Sequence, residues 1–72
     1  MLYLEKISIN PEIRFGRPCI KGTRISVYDI LSWLASGMSN ENILSDFPEL
    51  TLDDIKASLY YAADKEKRLS VA

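Results

Sequence analysis

The side chains best suited to chemistry in this sequence are four cations within residues 14–24, RFGRPCIKGTR, a stretch we call the basic loop. These cations are Arg14, Arg17, Lys21 and Arg24. A guanidinium presents a planar fork of donors that matches carboxylates and phosphates, so the loop predicts contact with an acidic protein surface or a nucleic-acid backbone. Two alternatives stay open: a solvated face, and pairing with the chain's own acids, such as Arg24 with Asp29 or Asp54.

Glycine and proline interrupt the basic loop at Gly16, Pro18 and Gly22. Neither residue type sustains a helix, so an ordered loop or hairpin is expected. With Ile20 and Ile25 anchored in the core, the last three cations of the loop would lie on a rigid rim. A rigid rim binds a partner at a lower entropic cost than a mobile one.

The composition argues against an enzyme. The 72 residues include no histidine and one cysteine, Cys19, so a Cys/His metal cluster and an internal disulfide are excluded. Catalysis needs a tuned acid, base, nucleophile or metal, and the carboxylates are explained as helix caps, so we expect no catalysis, cofactor or metal. Cys19 is interpreted as a small buried hydrophobe. The beginning of the chain is typical of neither a signal peptide nor a membrane span, which predicts a cytoplasmic protein without a membrane partner.

The net charge of −1 hides an uneven distribution. Residues 12–24 carry four cations and one anion, whereas residues 25–55 carry six anions and no cation. Such polarity can steer a charged partner towards one side of the molecule.

Residues 1–25 are predicted to form an extended front segment, and residues 26–68 a three-helix bundle within the same domain. In the front segment, Ile7, Ile9, Ile13 and Phe15 recur with the parity of a strand, interrupted by an Asn-Pro turn.

The first helix is predicted over residues 27–36. Ser26 and Asp29 have the spacing of a capping box, and Gly37 provides a C-terminal stop. Trp33 on this helix is interpreted as core or interface, because no second aromatic residue lies nearby at the spacing of a stacking surface.

Two more helices follow. Ser39 caps a second helix of about two turns that ends before Pro48. Thr51 and Asp54 cap the third. Helical spacing predicts that the third helix turns one set of side chains inward: Leu52, Ile55, Leu59 and Ala62.

The connection PELT between the second and third helices is compatible with a helix-turn-helix. Glu49, Asp53 and Asp54 would then meet DNA phosphates, and repulsion favours their interpretation as helix-capping acids. The basic loop is therefore the better candidate for nucleic-acid contact.

Residues 16–62 resemble the small prokaryotic family known as domain of unknown function 433. The shared pattern comprises GRPCIKGTRISV, then GMS, then PELTLDDI. Its motif positions include Gly16, Pro18, Gly22, Thr23, Arg24, Gly37, Pro48, Thr51 and Asp54. The resemblance implies a mainly α, homeodomain-like or winged-helix-like three-helix fold preceded by a β element, often paired as a homodimer. It also implies an antitoxin-like partner of a PIN-like nuclease toxin.

The sequence and this resemblance therefore indicate two possible functions. The first is an antitoxin-like regulator that restrains a nuclease and can bind DNA as a dimer; the second is a dimeric adaptor without nucleic-acid binding. The expected homodimer also rests on apolar residues beyond the needs of one short bundle, namely Leu2, Leu4, Ile7, Ile9, Trp33, Tyr60 and Tyr61.

Overall fold

A computed structural model describes residues 3–70 of the chain, with side chains for residues 5–67. Two 3₁₀ turns and two strands come first: Tyr3–Lys6, β1 (Ile7–Ile9), Arg14–Gly16 and β2 (Pro18–Ile20). Three helices follow: α1 (Val27–Ala35), α2 (Asn40–Asp46) and α3 (Leu52–Ser70). The predicted class, a mainly α three-helix fold behind a short β element, is confirmed.

The two strands pair with each other, antiparallel and within one chain. Ile7 lies opposite Ile20 and Ile9 lies opposite Pro18. The predicted strand is confirmed at Ile7 and Ile9, which both lie in β1, although Ile9 is exposed. The prediction is wrong for Ile13 and Phe15, which lie outside both strands. The reason is that β1 has only three residues, after which the Asn-Pro turn changes the direction of the chain.

The ends of α1 agree with the predicted signals. The Ser26 hydroxyl accepts from the Asp29 N–H at 2.9 Å, and the Asp29 carboxylate accepts from the Ser26 N–H at 3.1 Å. Gly37 has φ 103°, a left-handed conformation that an L side chain rarely adopts. The Met38 N–H donates to the Trp33 carbonyl at 3.1 Å, which completes a Schellman ending.

The other two helices are also capped as predicted. Ser39 forms a capping box with Asn42 at the beginning of α2. At α3, the Thr51 N–H donates to the Asp54 carboxylate at 2.9 Å, and the Asp54 N–H donates to the Thr51 hydroxyl at 3.3 Å. These bonds satisfy donors that the first helical turn cannot pair within the helix.

The main core cluster joins β2 to all three helices. Its buried members are Ile20, Ile30, Ile43, Leu50 and Ile55. Trp33 packs against this cluster and stacks on Phe47, with ring centroids 4.2 Å apart. Its interpretation as a packing residue is confirmed, and its partner lies 14 positions away at the end of α2. Cys19 is buried, also as predicted.

The inner face of α3 differs from the predicted one. Ile55 is buried, but Leu52 is 42% exposed and Leu59 is 47% exposed. The helix instead buries Ala57 and Ser58, whose small side chains permit close packing against the front segment and α1. The Ser58 hydroxyl remains satisfied inside the protein, because it donates to the Asp54 carbonyl at 3.1 Å.

Two of the apolar residues that motivated the dimer prediction, Leu2 and the side chain of Leu4, lie outside the described residues. Within residues 3–70, no helix has the length and apolar character needed to cross a bilayer.

Candidate partner-binding surface

Backbone hydrogen bonds fix the second half of the basic loop. Ile20 and Thr23 close a four-residue turn through a 3.0 Å bond from the Thr23 N–H to the Ile20 carbonyl. Gly22 occupies this turn with φ 83°, where an L side chain would be strained. The Lys21 N–H also donates to the Lys6 carbonyl at 2.8 Å, which ties the turn to the front segment.

The Thr23 side chain stabilises the same turn. Its hydroxyl donates to the Ile20 carbonyl at 2.9 Å and accepts from the Ile25 N–H at 3.0 Å. Thr23 is therefore a structural residue, as the motif implied. Ile20 is buried and Ile25 packs against the main core cluster, so the turn is anchored at both ends.

Arg14 holds the first half of the loop against α1. Its Nη1 donates to the Asp29 carboxylate at 3.1 Å and to the Arg24 carbonyl at 2.9 Å. The predicted pairing of Arg24 with Asp29 or Asp54 is wrong, because Arg14 pairs with Asp29 while Asp54 accepts from Thr51. The path of the loop brings the earlier arginine, not the later one, to the beginning of α1.

Competing effects act on the pKa of Asp29. Burial raises this pKa, whereas the hydrogen bonds from the Ser26 backbone and side chain and the nearby Arg14 guanidinium lower it. The lowering effects are larger in sum, so the pKa lies below its ordinary value of 3.8. Asp29 is accordingly ionised and paired at neutral pH.

The remaining three cations of the loop are exposed. Arg17 lies over the Tyr28 ring, with its guanidinium carbon 5.5 Å from the ring centroid. The side chains of Lys21 and Arg24 form no ion pair with any described residue. The predicted rim of Arg17, Lys21 and Arg24 therefore exists as a surface, while Arg14 also has a structural contact; their roles in binding stay predictions.

The first half of the loop contains an unusual backbone segment. Arg14, Phe15 and Gly16 have φ values of 53°, 59° and 81°, three consecutive residues in the left-handed region. Such values are uncommon outside glycine and are strained for a bulky side chain. Phe15 is nevertheless 101% exposed, so its side chain has no packing role in the described structure.

An open groove of about 770 Å³ lies beside the basic loop, between α1 and α3. Tyr28 and Leu31 of α1 and Tyr61 of α3 contribute apolar surface, and Arg17 and Lys65 are cations along it. Lys65 lies over the Tyr61 ring at 5.5 Å, which parallels the contact between Arg17 and Tyr28.

Exposed acids occur near the basic loop at Glu12, along the groove at Glu66, and at several positions farther away. Glu41 and Asp46 belong to α2, Glu49 to the α2–α3 connection and Asp53 to the first turn of α3. Within the described residues, no group of three or more Cys, Asp or Glu side chains is placed to hold a metal ion. If α2 and α3 acted as a DNA-binding helix-turn-helix, the acids of α2, of the connection and of the first turn of α3 would repel the DNA phosphates.

The sequence comparisons agree with this arrangement of elements. Residues 7–62 match the family described as Protein of unknown function (DUF433). The chain belongs to the DUF433 family. A structural relative, a DUF433 member from Anabaena variabilis whose crystal structure was determined at 2.00 Å, superposes with a TM-score of 0.81 at 27% identity. That similarity covers 88% of this DUF433 chain and 62% of the Anabaena chain.

A curated relative of this DUF433 chain is the uncharacterized protein y4eO of Sinorhizobium fredii (strain NBRC 101917 / NGR234). The two are 36% identical over 58 residues, which is 81% of this chain and 26% of y4eO. The chain thus spans about a quarter of the length of this relative and less than two thirds of the Anabaena protein.

Two surface aromatics escaped the sequence interpretation. The spacing of apolar residues gives Phe15 the parity of a strand, although its neighbour Gly16 is a signal for a turn. Tyr28 follows the first position of α1 and packs under Arg17, a contact between residues 11 positions apart that no local pattern indicates.

Proposed function

We propose that this chain is a non-enzymatic, antitoxin-like regulator that binds an acidic partner protein, a PIN-like nuclease, through its basic loop. The observation that supports the proposal best is the presentation of three exposed cations, Arg17, Lys21 and Arg24, on a loop fixed by hydrogen bonds and by the ion pair between Arg14 and Asp29. Ordered cations lose little conformational freedom on binding.

The chemistry of such a nuclease fits this surface. A metal-dependent nuclease collects carboxylates around its metal ions, and a cation from an inhibitor can pair with them. Arg17 has the most defined position of the three, because the Tyr28 ring supports its guanidinium. The planar donor fork of arginine suits carboxylates better than the point charge of lysine does.

A second candidate role is DNA contact through the same loop. The presence of several cations on one exposed loop favours it, whereas the exposed acids of α2 and the beginning of α3 oppose it for a recognition helix. We propose a homodimer as the form that would bind DNA, since paired half-sites match a two-fold protein. The alternative to DNA binding is a dimeric adaptor that binds another protein and no nucleic acid.

The test uses a purified PIN-like nuclease from the same host as the binding probe. The two proteins are purified separately, and the affinity and nuclease activity are measured with the parent chain and with the Arg17→Ala/Lys21→Ala double variant. Loss of rim charges is expected mainly to slow association and to weaken inhibition. The single variant Lys21→Ala is measured as well, and Lys56→Ala, which removes an exposed cation from α3, is its matched control.

Three results decide between the roles. Inhibition by the parent chain that weakens in the rim variants, but not in Lys56→Ala, supports the proposal. An absence of binding between the parent chain and the nuclease contradicts it. Affinity for promoter DNA that falls linearly with log salt, with a slope reduced by about one for each removed cation, supports the DNA role.

A further inference from the structure

We infer that Phe15 is the anchor of the partner interface, inserting into an apolar pocket on the partner that is bordered by carboxylates. This inference rests on the proposed function for the location of the interface, and adds the residue that dominates it and the chemistry of the surface it meets.

The first argument is that Phe15 contributes nothing to the described core. Its side chain is 101% exposed, more than any other large hydrophobic residue among those described. It is absent from the groove beside the loop and from the cavity lined by Trp33 and Phe47. A fully exposed phenylalanine that packs on nothing is placed for contact with another molecule.

The second argument is that the backbone holds Phe15 in a conformation that the residue disfavours. With φ 59° and ψ 34°, Phe15 lies in the left-handed region, between Arg14 and Gly16 in the same region. Strained residues persist where the surrounding structure fixes them, and they concentrate at functional sites. Glycine or asparagine would suit this position better if folding were its only purpose.

The third argument is that the turn carrying Phe15 is held firmly. The Ile13 N–H donates to the Asn10 carbonyl at 2.9 Å, and the Arg17 N–H donates to the Arg14 carbonyl at 3.1 Å. The Arg14 side chain connects the turn to Asp29 at the beginning of α1. An aromatic ring on a restrained turn loses little entropy on insertion, which is how interface anchors gain affinity.

The charges near Phe15 determine the kind of partner. Arg14 is paired with Asp29, so the exposed charges nearest to Phe15 in sequence are Glu12, three positions earlier, and Arg17, two positions later. Lys21 and Arg24 extend the same loop. A second copy meeting this surface across a two-fold axis would oppose basic loop to basic loop, which is unfavourable. An apolar pocket with carboxylates at its border is the complementary surface.

The experiment replaces Phe15 by the photocrosslinker p-benzoylphenylalanine in the full chain, in its native host. The matched control carries the same crosslinker in place of Tyr60, an exposed aromatic residue of α3. Tyr60 lines a shallow cavity together with Lys56 and Leu59, away from the basic loop in sequence. Adducts are identified by mass spectrometry. The partner protein identified from its adduct is then purified separately, and its affinity is measured for the parent chain, Phe15→Asn and Tyr60→Asn.

The expected result is an adduct with a partner protein from position 15 and none with that protein from position 60, and an affinity at least about tenfold lower for Phe15→Asn, as for interface anchors in general. Tyr60→Asn should change affinity by less than about twofold, as for peripheral interface positions. Phe15→Asn should also remain at least as resistant to urea as the parent chain.

Each outcome is decisive. If the adduct forms with the nuclease, and the nuclease shows the expected affinities for the variants, both the inference and the proposed function are supported. The same behaviour with a different, identified protein supports the inference and contradicts the nuclease assignment. Absence of an adduct, an adduct only with a second copy, an unchanged affinity of Phe15→Asn, or destabilisation by this substitution overturns the inference.

Discussion

Replacement of Asp29 by alanine is expected to destabilise the protein more than any other single surface substitution near the basic loop. The Asp29 carboxylate accepts both the Ser26 N–H and the Arg14 guanidinium at 3.1 Å, so one side chain caps α1 and holds the left-handed turn. Its removal therefore affects the helix and the loop together.

The magnitude follows from these two contacts. Ser26 is fully buried, so loss of the acceptor leaves its N–H unpaired at about 1–3 kcal/mol. The ion pair adds about 0.5 kcal/mol, because its side chains are 36% and 27% exposed and solvent screens them. We expect Asp29→Ala to lower the free energy of unfolding by about 1.5–3.5 kcal/mol. That is a large fraction of the roughly 4–11 kcal/mol typical of a 72-residue domain.

Urea unfolding followed by the fluorescence of the single tryptophan, Trp33, measures this effect. Asp53→Ala is the matched control, since Asp53 is an exposed acid in the first turn of α3 and its removal should change stability by less than about 0.5 kcal/mol. Asp29→Asn should lie between the two, because its amide oxygen can still accept from Ser26. Equal effects of Asp29→Ala and Asp53→Ala would refute this account of the contact.

Further predictions concern the stability of the protein at low pH, the N-terminal cap of α3 and the strained backbone at Phe15. Because the pKa of folded Asp29 is lowered, its stabilisation is complete above pH 3.8 and is lost as pH falls through the folded pKa. Asp29→Asn should remove this part of the acid dependence, which urea midpoints above and below pH 3.8 would show. Thr51→Ala should lower the unfolding free energy by about 1 kcal/mol and leave partner binding of the folded protein unchanged. A binding defect at full stability would instead make Thr51 a contact residue. Phe15→Asn should raise the unfolding free energy by about 0.5–1 kcal/mol through relief of left-handed strain, and a decrease in denaturation experiments would contradict this.

The helix boundaries were predictable because their determinants are local. Ser26, Ser39 and Thr51 each bond a residue three positions ahead, so the signal and its partner occur within one turn of sequence. Gly37 likewise ends α1 through bonds to the preceding turn. A capping bond needs no information about the rest of the fold, and a pattern of four residues is sufficient to specify it.

The face of α3 that is buried required the tertiary structure. Helical spacing of the apolar residues alone favours a face that includes Leu52 and Leu59 with Ile55. The front segment and α1 instead pack where Ala57 and Ser58 allow a close approach. Packing selects the face by shape as well as by hydrophobicity, and shape depends on elements distant in sequence.

For the candidate surface too, some features follow from the sequence and others follow from the tertiary structure. The sequence by itself placed the cations in one stretch with glycine and proline, and predicted that this stretch is an ordered loop or hairpin. The tertiary structure decided that Arg14 pairs with Asp29, that Arg17 lies on Tyr28, and that Phe15 is held outward. These contacts join residues up to 15 positions apart, and their geometry depends on a left-handed turn that no spacing of residue types reveals. A sequence fixes which side chains are close along the chain, whereas the path of the backbone fixes which of them meet.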